Sequence, residues 1–176
     1  VNGMSTGNKI SSLMFGIQWD LVCKFLEVKC NWNTTENTAQ YYIKQNSISW
    51  GNYRNSSLTL VRGKYNTKPN SSSSTWTPFS TDTENYVTSG KTNSSTSYCQ
   101  LLTTGASEDT NKMNIYDFAG NEYEWTLEKT TFTDRPCSRR GGYFDSYGYD
   151  GVPASCRNYS STTVSNSVYG LRSSLY

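Results

Sequence analysis

Hydrophobic residues recur with helical spacing near the start of the chain, between Leu13 and Val28. Steps of three and four residues between apolar positions are typical of an amphipathic helix, which buries one face. Ser11 or Ser12 precedes this stretch and is a suitable residue to cap its first turn. We therefore predict a helix that packs across a sheet through its apolar positions, which are Met14, Ile17, Leu21, Phe25 and Val28.

The periodicity weakens beyond this segment. A shorter helical pattern covers Glu36 to Gln45, and a polar stretch from Ser47 to Ser97 follows it. Polar sequence with neither a helical nor a strand period is typical of loops, so we expect this middle part to be irregular. Aromatic residues spaced through it are expected to anchor it to the core, namely Trp50, Tyr53, Trp76, Phe79 and Tyr86.

Short strand-like segments separated by turn residues occupy the last third of the chain. The pair Gly141-Gly142 within one of them indicates backbone with positive φ or a close approach of another chain segment. The predicted strands cover Asn114–Tyr116, Glu122–Leu127, Arg139–Tyr143, Ala154–Tyr159 and Val168–Leu175.

The composition describes one folded domain with little net charge. A length of 176 residues is enough for a single hydrophobic core. The aromatic content of 14% and the charged content of 17% argue against a disordered chain. A net charge of +2, without a basic cluster, gives no basis for nucleic-acid binding. Because no apolar run approaches about 18 residues, we expect no direct membrane insertion.

The absence of histidine excludes several kinds of catalytic site. Ser-His-Asp and Cys-His nucleophiles need an imidazole base, and many zinc and iron sites need imidazole ligands. Carboxylate chemistry remains open. The five cysteines include no C-x-x-C pair. Cys23 and Cys30 would lie about 10 Å apart on one helix, beyond disulfide reach, and we expect at least three free thiols.

Four motifs near the C-terminus occur in a fixed order: Asn114–Thr126 (NIYDFAGNEYEWT), Arg139–Tyr143 (RRGGY), Pro153–Arg157 (PASCR) and Gly170–Ser173 (GLRS). This series resembles the signatures of formylglycine-generating enzymes, also called sulfatase-modifying factors. The resemblance implies an α+β fold of the C-type-lectin-like, formylglycine-generating-enzyme type, with a twisted antiparallel sheet, flanking helices and much irregular loop. It implies one domain over residues 1–176, expected to be the C-terminal domain of a longer protein.

The residues of these motifs have a physical role that agrees with the resemblance. Gly120 suits an unusual backbone conformation, and Asn121 can satisfy backbone groups in a tight turn. Trp125 and Tyr116 are expected to fill the core. Arginine forks suit buried carboxylates, so we expect Arg140, Arg157 and Arg172 to pair with acidic residues such as Asp117, Glu122 or Glu124.

Activity of the family's enzymes is not expected here. Their oxidase binds copper through a pair of cysteines, and neither Cys137 nor Cys156 stands at the positions that the resemblance gives to that pair. Copper(I) needs thiolate ligands. A second enzymatic branch uses a His-ligated iron, which a chain without histidine cannot bind. We therefore predict a chain that is not an enzyme and has no cofactor, although the fold leaves room for a structural calcium ion.

The segment after the Arg-Gly-Gly motif is rich in Tyr, Ser, Asp, Asn and Gly, residues that make adaptable recognition surfaces. This chain also resembles the variable proteins of diversity-generating retroelements, in which adenine-templated miscopying exchanges such residues near the C-terminus. The resemblance implies a diversified, exposed ligand-binding face made of Tyr143, Phe144, Asp145, Tyr147, Tyr149, Asp150, Cys156, Asn158 and Tyr159.

Two other functions stay open at this level. The scaffold could carry an enzyme that uses carboxylates or a metal, or it could be a structural part of an adhesin or tail fibre. A ligand-binding domain of this type is expected to meet a protein or glycan ligand on a cell or phage surface. Its expected location is the bacterial cell surface, the secreted fraction or a phage virion.

Overall fold

A computed structural model describes residues 11–66, 69, 72–80, 86–87, 100–149 and 151–175 of the chain. These residues form an α+β arrangement, as predicted. Its elements are β1 (Ser11–Leu13), α1 (Gly16–Lys29), α2 (Ala39–Lys44), β2 (Ser57–Leu58), β3 (Lys64–Asn66), β4 (Thr77–Pro78), β5 (Tyr86–Val87), β6 (Leu101–Leu102), β7 (Tyr123–Lys129), β8 (Cys137–Arg140), β9 (Arg157–Ser160), β10 (Tyr169–Leu171) and β11 (Ser173–Leu175).

The largest sheet has the strand order β10-β7-β8-β9. β7, β8 and β9 are antiparallel, and the register places Trp125 beside Arg139 and Arg139 beside Asn158. β10 runs parallel to β7, with Tyr169 beside Tyr123, so the sheet is mixed and not purely antiparallel. All four motifs of the last third thus lie in or beside one sheet.

Smaller sheets connect the remaining parts of the chain. β1 pairs with β11, which joins the beginning of the described chain to its end. β3 lies between β4 and β6, and β2 pairs with β5. The polar middle part therefore contains short strands within irregular chain. Trp50 and Tyr53 are buried and anchor it as predicted, whereas Trp76 is exposed.

The predicted helix is present as α1, but the predicted buried face is wrong. Ile17, Leu21, Phe25 and Val28 are exposed, and Met14, which is buried, precedes the helix. A second stripe with helical spacing faces the core instead, made of Trp19, Cys23 and Leu26.

The indole of Trp19 explains why this second stripe is buried. Its ring stacks on Phe118 with the ring centres 4.0 Å apart, and its Nε1 donates to the Ala154 carbonyl at 3.0 Å. A buried indole contributes large apolar area together with a hydrogen bond. The start of the helix also differs from the prediction, because Ser11 and Ser12 lie in β1. The Gln18 side chain instead accepts from the Phe15 amide at 2.8 Å.

Two further predictions about the core and strands are wrong. Tyr116 and Trp125 are only half-buried, and Phe118 takes the core position in this motif. The predicted strand Asn114–Tyr116 is a loop, since Met113, Asn114 and Asp117 have φ values of 56°, 63° and 51°. Left-handed backbone of this kind is incompatible with an extended strand.

Four of the five cysteines lie in the described part of the chain, and all four are free thiols, which confirms the expectation of at least three. The fifth, Cys99, lies outside the described residues. Neither helix of the described residues is long and apolar enough to cross a membrane.

Candidate ligand-binding face

Three arginines of the C-terminal motifs form ion pairs that hold the central sheet in place. Arg172 binds Glu124 on β7, as predicted, with Nε–Oε2 and Nη2–Oε1 distances of 2.8 and 2.7 Å. Arg140 and Arg157 do not bind the predicted acids. Both contact Asp20 on α1, and Arg157 Nε also lies 2.8 Å from Glu128 Oε1. These pairs fix β8 and β9 against the helix, and we call the three arginines the frame.

The turn before β7 fixes the adjacent strand. Gly120 and Asn121 have φ values of 71° and 63°. Asn121 accepts from the Leu102 amide through Oδ1 and donates to the Leu102 carbonyl through Nδ2, both at 3.0 Å. The predicted role of Asn121 in satisfying backbone groups is confirmed, although those groups lie on β6.

The glycine pair after β8 also behaves as predicted. Gly141 and Gly142 have φ values of 89° and 79°. A Cβ on Gly142 would lie 2.5 Å from the Val152 carbonyl oxygen. The loop that follows β8 can therefore fold closely over its own return segment.

Neighbouring residues of β8 and β9 point to opposite sides of the sheet, because side chains alternate along a strand. Arg140 and Arg157 point toward α1, where they contact Asp20. Arg139 and Asn158 therefore lie on the opposite side, beside each other in the register. This side of the sheet carries a group of residues that we call the aromatic face. Its half-exposed members are Trp125, Arg139, Tyr143, Asn158 and Tyr169. Its sixth member, Tyr123, is buried and also packs against Leu101 and Val168 in the core.

The guanidinium of Arg139 lies at the centre of the aromatic face. Its Cζ is 4.4 Å from the ring centre of Tyr123 and 4.7 Å from that of Tyr169, and Nη1 donates to the Tyr169 hydroxyl. The Tyr143 ring lies 5.1 Å from Tyr123, and the Trp125 ring lies 5.3 Å from Tyr169. These distances describe one continuous layer of rings around a cation.

A second cluster extends this surface along the loop after β8. The Tyr147 and Tyr149 rings lie 5.5 Å apart, and the Arg54 guanidinium lies 5.8 Å from the Tyr147 ring centre. Arg54 Nε lies 3.8 Å from Asp145 Oδ1.

Tyr143 connects the second cluster with the aromatic face. Burial raises the pKa of its hydroxyl, as does the charge of Asp145, while Arg139 and Arg54 act against that rise. Both clusters therefore act electrostatically on one side chain.

Five of the predicted site residues are brought together on this surface and are exposed or half-exposed. They are Tyr143, Asp145, Tyr147, Tyr149 and Asn158. Asp150 lies outside the described residues. The prediction that Phe144 and Cys156 are exposed is wrong, because their side chains are only 3% and 6% exposed. Both pack in a cluster with Leu101, Tyr123 and Val168, and burial raises the pKa of the Cys156 thiol.

Tyr159 is half-buried and belongs to a different surface. It follows Asn158 in β9 and therefore points to the other side of the sheet. Its ring lies 4.5 Å from Phe132, and the Arg135 guanidinium lies 4.8 Å from its centre.

Several residues of this surface were not predicted as site residues. Tyr123, Trp125 and Arg139 could have been found from the strand alternation, because Arg139 directly precedes the frame residue Arg140. Tyr169 would have needed the parallel pairing of β10 with β7. Arg54 lies some 90 positions before Asp145, and no sequence pattern connects the two.

A cavity of about 270 Å³ lies behind the turn, beside Asp117, Glu122, Glu124 and Arg172. Its acidic lining is the part of the described chain most similar to a calcium site. Both Glu124 oxygens accept from Arg172, and Asp117 Oδ2 accepts from the Gly105 amide at 2.7 Å. Within the described ranges, no group of three acidic, Cys or His side chains is arranged to hold a metal. Asp117 Oδ1 is buried without a hydrogen-bond partner, but the Arg172 guanidinium already supplies a cation beside these carboxylates, so the side chains present do not form a calcium cage.

No family model matches this chain, and no curated protein or solved structure is significantly similar to it.

Proposed function

We propose that this chain is a non-catalytic ligand-binding domain with a diversified face near its C-terminus. In this proposal the domain has the C-type-lectin-like fold of the formylglycine-generating-enzyme type, and it acts as the variable protein of a diversity-generating retroelement. The motif series supports the family, and the surface around Tyr143 supports the binding role.

The alternation of frame and face along β8 and β9 carries this proposal. Arg140 and Arg157 are ion-paired to α1, whereas their neighbours Arg139 and Asn158 lie on the opposite side. Residues on the aromatic face can therefore change without loosening the pairs that hold the sheet. A diversified binding site needs this separation, because substitutions in packed regions cost stability.

The chemistry of the face also favours recognition. Tyr, Trp and Arg are enriched among residues that dominate protein interfaces, and Tyr offers a large contact at low entropic cost. Tyr149 and Asp145 are exposed, and the Tyr147 ring lies beside that of Tyr149 at a tilt of 41°. A ligand that covers them would bury rings that water now contacts.

The state of Cys156 supports a non-catalytic role. Nucleophilic and metal-binding cysteines act as thiolates in partly exposed, electropositive surroundings. Cys156 is buried, and the first cause of its raised pKa is desolvation. Its sulfur would therefore be held as the neutral thiol at neutral pH.

The proposal is tested by exchanging the exposed positions together. A variant with Tyr143→Ser, Asp145→Asn, Tyr147→Ser, Tyr149→Ser and Asn158→Ser is expected to keep its Tm within about 4 °C, which corresponds to about 1–2 kcal/mol for a chain of this size. A phage-displayed library randomised at these five positions should yield folded binders to unrelated proteins such as lysozyme and streptavidin. Large losses of Tm, or a library without binders, would contradict the proposal.

The gene provides an independent test. We expect a near-copy of the last third of the coding sequence close to the gene. The codons of the five exchanged positions should differ from this copy only where the copy has adenine. Codons that differ at other bases would remove the retroelement from the proposal, while the binding experiment would still judge the ligand-binding role.

A further inference from the structure

Arg139 differs from the other arginines of the chain in its charge partners. Arg54, Arg62, Arg135, Arg140, Arg157 and Arg172 each lie within 4.0 Å of a carboxylate oxygen. Among the residues that the structure describes, Arg139 has no such partner. We propose that an Asp or Glu side chain of a protein partner binds Arg139 at the centre of the aromatic face. This inference rests on the proposed binding function and names the chemistry of its ligand.

The surroundings of Arg139 leave its guanidinium incompletely satisfied. It makes one hydrogen bond within the described residues, from Nη1 to the Tyr169 hydroxyl, and its Nε is buried without a partner. A half-buried cation without a counter-ion is less favourable than a paired one, and the two neighbouring rings supply only part of the missing interaction. A carboxylate at the open edge of the fork would supply the missing charge and further hydrogen bonds.

Among the described residues, the acids nearest to this position are engaged elsewhere. Asp145 lies beside Arg54 at the edge of the surface, and Glu124 points to the other side of the sheet, where it binds Arg172. The centre of the aromatic face is therefore positive and ringed by aromatic side chains. This is the arrangement of an interface hot spot, in which rings exclude water around a central polar anchor.

The extent of the face favours a protein over a sugar as the source of the carboxylate. It crosses four strands, or about 14 Å at about 4.8 Å per strand spacing. It continues through Tyr147 and Tyr149 on one side. On the other side lies Leu171, which is 60% exposed and pairs with Trp125. A surface this wide, with aromatic rings throughout, suits a protein interface better than a single sugar ring.

The experiment uses a random twelve-residue peptide library on phage, panned against the whole chain. We expect enrichment of peptides with an Asp or Glu flanked by apolar or aromatic residues. Arg139→Met should weaken their binding at least about tenfold, the range of an interface hot spot. Arg139→Lys should keep part of the affinity, because it retains the charge but not the fork. Replacing the peptide's acid by its amide should reproduce the loss.

Matched variants separate the outcomes. Arg139→Met is expected to leave the Tm unchanged or higher, whereas Arg140→Met should lower it, so a folding defect is recognised. Enriched peptides that lack Asp and Glu, or that bind the Arg139→Met variant as tightly as the wild type, would overturn the inference about Arg139. The proposed binding function would remain. An Arg139-dependent response only to acidic sugars on a glycan array would overturn the protein partner. If Tyr143→Ser with Tyr147→Ser leaves peptide binding unchanged, the proposed function itself fails.

Discussion

The guanidinium of Arg172 and the carboxylate of Glu124 form two parallel hydrogen bonds of 2.8 and 2.7 Å, which connect the segment between β10 and β11 to the beginning of β7. Nη2 of Arg172 also donates to the carbonyl oxygens of Tyr116 and Asp117, at 3.0 and 3.3 Å. One side chain thus secures both the strand pairing and the loop that precedes the turn at Gly120.

Arg172→Met is expected to lower the free energy of unfolding by about 3 kcal/mol, because it leaves the Glu124 carboxylate buried without a counter-charge. Urea denaturation followed by tryptophan fluorescence measures the change. The double variant Glu124→Leu with Arg172→Met is the control and should lose less than Arg172→Met alone. A single-variant loss below about 1 kcal/mol would show that the pair contributes little.

The stability of the protein is expected to fall as pH rises above about 4, in part because of Asp117. Burial raises the pKa of this carboxyl, and the Gly105 amide, Thr110 and Arg172 act against that rise. The folded state therefore favours the protonated acid. The resulting stabilisation is fully present below the unfolded-state pKa of about 4 and is lost as pH rises through the raised folded-state pKa.

Asp117→Asn should flatten this dependence, and asparagine tolerates the left-handed backbone at this position. The measurement is the free energy of unfolding at several pH values from 4 to 7. Glu122→Gln should flatten the curve further, because burial and then the charge of Glu124 also raise the pKa of Glu122. A slope identical to that of the wild type in both variants would contradict this prediction.

The exposed stripe of α1 is expected to tolerate polar residues. Ile17→Gln and Leu21→Gln should each change the free energy of unfolding by less than about 0.5 kcal/mol, since both side chains are mostly in water. Leu26→Ala on the buried stripe should cost about 2–5 kcal/mol. Chemical denaturation of the three variants decides the orientation of the helix. A larger loss in the free energy of unfolding for Leu21→Gln than for Leu26→Ala would show that the stripe predicted from the periodicity is the buried one.

The two tryptophans Trp19 and Trp125 should differ in their contribution to stability. Trp19→Ala removes a fully buried ring that stacks on Phe118 and is expected to cost about 3–5 kcal/mol. Trp125 is half-buried on the aromatic face, so Trp125→Ala should cost about 1–2 kcal/mol, closer to a typical single substitution. Thermal unfolding of both variants gives the comparison, and equal losses would place Trp125 in the core.

The sequence predicted the helix near residue 20, the strands after Glu122, and positive φ or a close backbone approach at Gly141 and Gly142. These features depend on local patterns of apolar residues, turns and glycine. The prediction of which face of α1 is buried was wrong, because the segment has two apolar stripes with helical spacing. Trp19 belongs to the stripe that was not predicted to be buried. A period alone cannot rank two stripes when a single indole provides the largest buried contact.

For the candidate site, the sequence located the segment that carries it. It did not predict which residues of that segment are exposed, or to which side of the sheet they point. Phe144 and Tyr147 are three residues apart in one polar loop, yet one is buried and the other half-exposed. Asn158 and Tyr159 are adjacent and point to opposite sides. Arg54 and Tyr169 join the surface through chain segments distant in sequence.

By itself, the sequence determined the helix near residue 20 and most of the strands of the last third, and it located the Tyr-rich stretch between the arginine motifs. Only the tertiary structure decided that Arg139 lies between Tyr123 and Tyr169 with no carboxylate partner among the described residues, while Arg140, its neighbour in the chain, binds Asp20. The physical reason is that strand alternation sends the two arginines to opposite sides of the sheet. The residues that contact each arginine belong to other elements, Asp20 to α1, Tyr123 to β7 and Tyr169 to β10. No local pattern in the sequence specifies these contacts.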